Sequence, residues 1–401
     1  MKRWTIKRLL AWSLTAFVLG TSVTGCGSSG SKTQNHTETE AQTSKNTAPD
    51  TGSQAETGSE TKTDSTAKGK ADDKLQSDKE NTSLLRTGVL SFLRTDEASF
   101  GDIMKAHSII GRQLELEGYA TSILPSPEDG REPVFQPVYY DSLGAMVMGV
   151  TSGEIDAFAI NKTTADYLCA TNSNLMLANM FDLEKERTTF ADVALSGIFN
   201  SDFSFMLRND QQDLCQSFNH ILADMKNDGT FDRLIKEQIT DVISGDEILA
   251  EKPETFDDAD TIRIAVTGAL PPMDYVDASG NPAGFNTAVL SEFGKRLHKN
   301  IEIKVVDSVG RAFALSSGAV DVVFWTRTNS YFNDAAKHSE EENEEIELEL
   351  LEEMSDEEAK AFKAFSDIVD LKTYSQIDQP EDTIVTDPYY FDTTVLVVTK
   401  D

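Results

Sequence analysis

The chain is short of cations, cysteine and histidine, and each shortage excludes something. Of its 401 residues, 36 are Lys or Arg against 68 Asp or Glu, a formal net charge of −32 at pH 7. Such a surface repels phosphate backbones and anionic headgroups, which argues against nucleic acid and direct anionic-lipid binding and keeps a soluble protein from self-association. There are three cysteines; beyond Cys26 only Cys169 and Cys215 remain, each in a segment with helical spacing. Two options stay open for them, one disulfide in an oxidising compartment or two buried thiols. The five histidines are scattered, and the sequence has no His-Glu-x-x-His, no Walker-type phosphate loop and no Gly-x-Ser-x-Gly elbow. Carboxylates are too numerous for closeness in sequence to nominate a catalytic pair. No catalytic residue, metal or cofactor is assigned, and the reading is of a non-enzyme.

Long apolar runs are also missing. Leu9–Gly20, behind the basic Lys2, Arg3, Lys7 and Arg8, is too short for a stable membrane span and predicts a secretion signal. It ends at Val23-Thr24-Gly25-Cys26, which resembles a bacterial lipobox with Val where Leu is usual. Residues 1–26 are therefore expected to be a lipoprotein leader with Cys26 as the lipidated residue; the plainer alternative is secretion with Cys26 there by chance. Residues 27–83 are rich in Ser, Thr, Lys and Glu with almost no large apolar side chain, which predicts a disordered tether reaching roughly 40 Å. The expected location is the extracytoplasmic face of the cell membrane.

From about Leu84 the composition becomes globular. Gly88–Leu93 reads as a strand, and Ile103, Ala106, Ile110 and Leu114 line one face of a helix over Gly101–Glu117 that Gly118 caps. Val134–Tyr140 reads as a strand interrupted by Pro137, followed by a short helix, a helix through Lys162–Thr171 and strands at Leu175–Ala178 and Phe203–Arg208. Helices are expected at Asp213–Met225 and Thr230–Ile239. Ile262–Val266, Ile301–Val305 and Val320–Phe324 read as strands separated by helices, with a hairpin turn at Asp277–Pro282. Strand–helix alternation implies a parallel sheet with crossover helices. Asp141-Ser142-Leu143 through Ser152-Gly153-Glu154-Ile155-Asp156 echoes Asp307-Ser308-Val309 through Ser317-Gly318-Ala319-Val320-Asp321, a weak internal repeat.

Pro271-Pro272-Met273-Asp274-Tyr275, Gly284-Phe285-Asn286, Ser317-Gly318-Ala319-Val320-Asp321, Asp387-Pro388-Tyr389-Tyr390 and Val395–Val398 follow one another in an order and spacing that resemble the first lobe of bacterial extracellular solute-binding proteins, family 3, the polar-amino-acid ABC-importer type. The resemblance implies an α/β, two-lobed periplasmic-binding-protein type 2 fold, each lobe a mainly parallel sheet flanked by helices, with a hinge between them. Ala223–Leu234 is similar to the family's closing helices, which there follow both lobes; here they precede the first-lobe motifs. The segments are accordingly 84–243, second-lobe-like with the closing helices; 244–260, a linker; and 261–401, first-lobe-like with an acidic insertion at 334–382. This order reads as a circular permutation of one binding protein and a compact monomer. The competing reading is two incomplete repeats that complete each other by swapping. For the insertion, whose Glu340–Glu358 stretch is densely acidic, the options are a partner-docking or cation-attracting arm and a solvated helix or partly disordered loop.

The family's ligands lie in the cleft between lobes. By resemblance, contacts would come from Asp274 and Tyr275 after the Pro-Pro turn, from Trp325, Thr326, Arg327 and Thr328 after the Val320–Phe324 strand, and from Asn161 and Arg94 in the other lobe. Three departures bear on the ligand. The family's carboxylate-gripping arginine falls at Asn333, with Arg327 the nearest substitute; Asn161 stands where an ammonium-binding aspartate is usual; and the Gly-Thr-Thr anion loop is unrecognisable near Ser91–Thr95. The resemblance implies capture of a small polar solute, an amino acid or related compound, for an ABC permease. Alternatives are a receptor-like or degenerate binding protein and an enzyme on the same scaffold.

Overall fold

The computed structural model describes residues 82–90, 97–124, 132–246, 252–277, 279–306, 310–328, 339–369 and 382–400. The chain divides after Gln76, and all of these residues lie in the second unit, Ser77–Asp401. The leader, Cys26, the tether up to residue 81, Arg94 and Asn333 fall outside the described residues.

The elements run β1 (Thr82–Leu90), α1 (Glu97–Leu116), β2 (Ala120–Ser122), β3 (Glu132–Tyr140), α2 (Leu143–Thr151), β4 (Ala157–Asn161) and α3 (Lys162–Thr171). Next come β5 (Leu175–Leu177), β6 (Asn179–Phe181), β7 (Asn200–Arg208), α4 (Gln212–Asn227) and α5 (Thr230–Ile235). The C-terminal half adds β8 (Thr261–Val266), β9 (Ala269–Leu270), β10 (Asp274–Val276), β11 (Pro282–Ala283), α6 (Phe285–Leu297), β12 (Asn300–Val305) and α7 (Arg311–Ser316). It closes with β13 (Val322–Thr328), α8 (Glu340–Glu353), α9 (Asp356–Ser366), β14 (Thr383–Val385) and β15 (Tyr390–Thr399).

The main sheet is ordered β12-β8-β13-β7-β15-β4-β1-β3, with β14 against β7 and β5 against β15. Its halves repeat one pattern. β12, β8 and β13 are parallel, and β7 borders them antiparallel. β3, β1 and β4 are likewise parallel, and β15 borders them antiparallel. The short β14 and β5 then pair antiparallel with β7 and β15. The halves meet where β7 and β15 pair with each other, Asn200–Phe203 against Tyr390–Thr393. The result is the expected α/β architecture of two lobes: lobe 1 around β8, lobe 2 around β1, and two crossing strands between them.

The sequence echo has a side-chain counterpart. In lobe 2 Arg86 donates to Asp156 Oδ2 from its backbone N (2.8 Å) and Nε (3.1 Å) and to Oδ1 from Nη2 (2.7 Å), while Asp156 N donates to Arg86 O (2.9 Å). Lobe 1 repeats each bond: Arg263 N and Nε to Asp321 Oδ2 (both 3.0 Å), Nη2 to Oδ1 (2.8 Å), and Asp321 N to Arg263 O (2.8 Å). Each carboxylate thus staples the start of its lobe's third parallel strand to the first. The Asp321 side chain is 17% exposed and that of Asp156 35%. Charge-assisted bonds gain strength out of water. Asp321→Ala is expected to cost about 2 kcal/mol and Asp156→Ala about 1 kcal/mol; equal losses in urea titrations would contradict the burial argument.

Four expectations need correction. Strand β3 is not interrupted at Pro137, which holds register opposite Thr87; it lies on an edge strand, where a missing N–H removes no ladder bond. Strand β1 begins at Thr82, earlier than the composition suggested, and is described to Leu90; the rest of the expected Gly88–Leu93 strand lies outside the described residues. Strand β13 does not stop at Phe324: a register shift between Val323 and Thr326 lets it continue to Thr328 along β7. Finally, the described part of the insertion is helical, largely exposed along the acidic α8 as one option had it, but buried along part of α9. Ser339 and Ser355 head capping boxes with Glu342 and Glu358 that start α8 and α9. Beyond the acidic run, α9 buries Ala361, Phe362 and Phe365 against α1, about 2 kcal/mol per phenylalanine. Both Cys169 and Cys215 are free thiols.

Candidate functional site

Buried polar side chains concentrate where the strands cross: Ser201, Asp202 and Ser204 on β7, Thr326 and Thr328 on β13, Asp392 and Thr393 on β15, and Thr163 and Thr164 on α3. A core built for stability alone places apolar residues there. Sequence reading missed most of this group. Its available signal was the Asp-Pro-Tyr-Tyr motif, whose continuation enters β15.

On the lobe 2 side, Asn161 ends β4 opposite Thr394 and stands at the N-cap of α3 without a side-chain cap bond. Asp392 takes over the capping, accepting from Thr163 N at 3.1 Å and Thr393 N at 2.7 Å. Thr163 Oγ1 and Tyr390 OH are hydrogen bonded at 2.8 Å. Ser201 lies opposite Asp392 in the β7–β15 register, and its buried hydroxyl finds no partner among the described residues.

Burial pushes the Asp392 carboxyl from its ordinary 3.8 up to about 6, against the opposing pull of Thr163, the Thr393 N–H and the Lys162 charge. The folded value lies above the unfolded one, so the fold favours the protonated acid. That contribution is full below about pH 4 and is lost as pH rises through about 6. In urea titrations the parent chain is expected to lose on the order of 3 kcal/mol relative to Asp392→Asn between pH 4 and 7. Parallel stability curves for the two proteins would sink this assignment.

On the lobe 1 side the predicted residues divide. Asp274 is turned into its own lobe, 2% exposed. Its Oδ1 accepts from Thr267 Oγ1 at 2.6 Å and Ala269 N at 3.3 Å, and its Oδ2 from Thr267 N at 3.4 Å. Burial raises this carboxyl, while those donors and the buried Arg311 oppose the rise. Its geometry is that of a group shaping the 267–273 turn. Tyr275 is half-buried, and its phenol is pushed up to about 12 by burial and by Tyr167 of α3 and Asp277.

Trp325, Thr326, Arg327 and Thr328 belong to β13 itself, paired with β7. Thr326 is fully buried with a hydroxyl unpartnered among the described residues, and Thr328 Oγ1 lies 3.4 Å from both Ser204 Oγ and Asp202 O. Arg327 is half-buried and bears on His107 of α1, whose imidazole is held down to about 3, first by burial and then by that positive charge. Tyr275, Arg327 and Asn161 thus border the crossing of the lobes, whereas Asp274 does not present its carboxylate there. The groove of about 450 Å³ lined by Gln211, Asp213, Arg263 and Asp321 lies at the opposite, N-terminal ends of the lobe 1 strands, away from where open α/β sheets hold ligands. Among the described residues no group of three His, Cys, Asp or Glu is placed to hold a metal ion, and no helix is long and apolar enough to cross a membrane.

The architecture is α/β, with one sheet whose two halves repeat the same strand pattern. Residues 262–331 match the family model described as bacterial extracellular solute-binding proteins, family 3, the family that the motifs resemble. No curated protein matches the chain. Among solved structures, the chain is similar to a zinc-bound ligand-binding component of an ABC-type import system from Staphylococcus aureus, at 10% identity and a TM-score of 0.31, covering 79% of this chain and 66% of that one. It is also similar to a substrate-binding protein from Microbacterium hydrocarbonoxydans complexed with 4-hydroxybenzoate hydrazide (10% identity, TM-score 0.28, 70% and 56% covered). A third is the GluR0 ligand-binding core from Nostoc punctiforme with L-glutamate (10%, 0.28, 79% and 85%). The chain spans less than two thirds of the length of the first two.

Proposed function

We propose that this chain is an extracytoplasmic solute-binding protein that captures a small polar solute for an ABC importer, tethered to the membrane through Cys26. The observation that carries the reading is the buried polar cluster at the β7–β15 crossing, flanked by strand ends of both lobes. Residues 1–26 serve as leader, 27–83 as tether, 84–243 as second lobe with closing helices, 244–260 as linker and 261–401 as first lobe. The chain is a circularly permuted member of its class. What supports this is the sheet order, in which a β7 that precedes lobe 1 in sequence completes the lobe 1 sheet, and a β15 that follows lobe 1 completes that of lobe 2.

Tyr275, Trp325, Arg327, Asn161 and Arg94 are the proposed ligand contacts, Thr326 and Thr328 form the floor, and Asp274 shapes the wall. An amide at Asn161 favours a solute other than a simple zwitterion, since it offers an ammonium group no opposite charge. Trp325→Ala and Arg327→Ala are each expected to weaken binding about tenfold or more by calorimetry; unchanged affinity in both would move the site. The ligand is sought by thermal unfolding against amino acids, peptides, sugars and organic acids. A ligand at about 100 times its dissociation constant adds roughly 2.7 kcal/mol to the folded state. Failure of the whole panel would favour a receptor-like surface role, a reading that the docked acidic insertion also suits.

A further inference from the structure

The insertion leaves lobe 1 after Thr328 of β13 and returns to it at Thr383 of β14, yet its helices rest on lobe 2. Phe362 and Phe365 of α9 share one apolar core with Ala106, Ile110 and Leu114 of α1. Two lobe 2 hydroxyls add polar links, Thr188 Oγ1 to Glu358 Oε1 and Thr189 Oγ1 to Glu353 Oε2, both 3.0 Å.

The same helix reaches the crossing strands. The Phe365 ring lies parallel to His107, centroids 6.3 Å apart and planes at 19°, and His107 packs on Phe199 at 5.1 Å. Phe199 immediately precedes β7, and its carbonyl accepts from Thr394 N of β15 at 3.1 Å. Arg327 of lobe 1 bears on the same imidazole. A chain of packed groups therefore runs from the insertion to both crossing strands.

We propose that the insertion is an interlobe strap: α9, rooted in lobe 1 and docked on lobe 2, restrains rotation of the lobes about β7 and β15. The restraint acts through the Phe365–His107–Phe199 stack, since hinge motion must shift the segment on which Phe199 sits. It depends on where the helices dock and not on what fills the cleft, so it stands or falls separately from solute capture.

The test is a pulsed-EPR distance between spin labels on non-canonical residues at the exposed Glu302 of lobe 1 and Lys105 of lobe 2 in the full chain. The parent is expected to give one narrow distribution. Phe362→Asp with Phe365→Asp is expected to lengthen and broaden it, and to speed proteolysis within 339–369 at least tenfold. Faster proteolysis with unchanged distances overturns the proposal. Should that double variant not fold, Phe365→Ala replaces it: broader distances support the strap, and an unchanged distribution overturns it.

Discussion

Replacing Gly284 by alanine is expected to destabilise the protein by about 3 kcal/mol or more. This glycine has φ +103° and ψ −179°, a region that side chains oppose. An added Cβ would also lie 2.6 Å from Pro272 O and 2.7 Å from Met273 O. Both obstacles are backbone, and neither can swing away. The same two carbonyls accept the first amides of α6, from Phe285 N at 3.1 Å and Asn286 N at 2.9 Å. Relief of the clash would therefore loosen the start of a helix whose Phe285, Ala288, Val289 and Phe293 are buried in the lobe 1 core. Urea denaturation of Gly284→Ala measures the effect. A loss under about 1 kcal/mol would mean that the turn relaxes without disturbing α6.

Phe205→Ala is expected to cost about 3–5 kcal/mol. Phe205 is fully buried on β7 and touches four aromatic rings: Tyr389 at 4.6 Å, Phe218 and Phe293 at 5.3 Å, and Phe324 at 6.0 Å between centroids. These come from the segment before β15, from α4, from α6 and from β13, so the neighbours cannot collapse together into the void. The backbone of Phe205 also exchanges bonds with Thr386, which fixes the approach to β15. Phe391→Ala is the control. Its ring is 53% exposed on a crossing strand, and its loss is expected to stay within about 0.5 kcal/mol. Similar unfolding midpoints for the two variants would remove β7 from the centre of the core.

Much of lobe 1 was legible because its strands and helices carry their own periodicity. β8 and α6 each bury a local pattern, β12 half-buries Ile301 and Ile303, and the hairpin of β10 and β11 follows from the Asp277–Pro282 turn. The repeat was visible in Ser-Gly-x-x-Asp, since a glycine with positive φ precedes each aspartate by three residues, Gly153 at +75° and Gly318 at +71°. The arginine partners were not, because Arg86 and Arg263 lie 70 and 58 residues from Asp156 and Asp321. The same distance in sequence hid the crossing. Asp392 bonds Thr163 across 229 residues, and nothing local marks either one as buried. β13 was cut short at Phe324 because Thr326-Arg327-Thr328 reads as polar loop; pairing with β7 satisfies its backbone and keeps it a strand.

The sequence by itself determined the acidic surface, the α/β class, the likeness of the two halves and the family motifs of residues 262–331, since charge, periodicity and short spacings are properties of neighbours along the chain. Tertiary structure alone decided which polar residues meet at the crossing, that Asp274 turns inward, that Asp392 is a buried acid, and that a helix rooted in one lobe lies on the other. Those outcomes depend on desolvation and on pairing between distant segments, and both arise only once the chain has closed on itself.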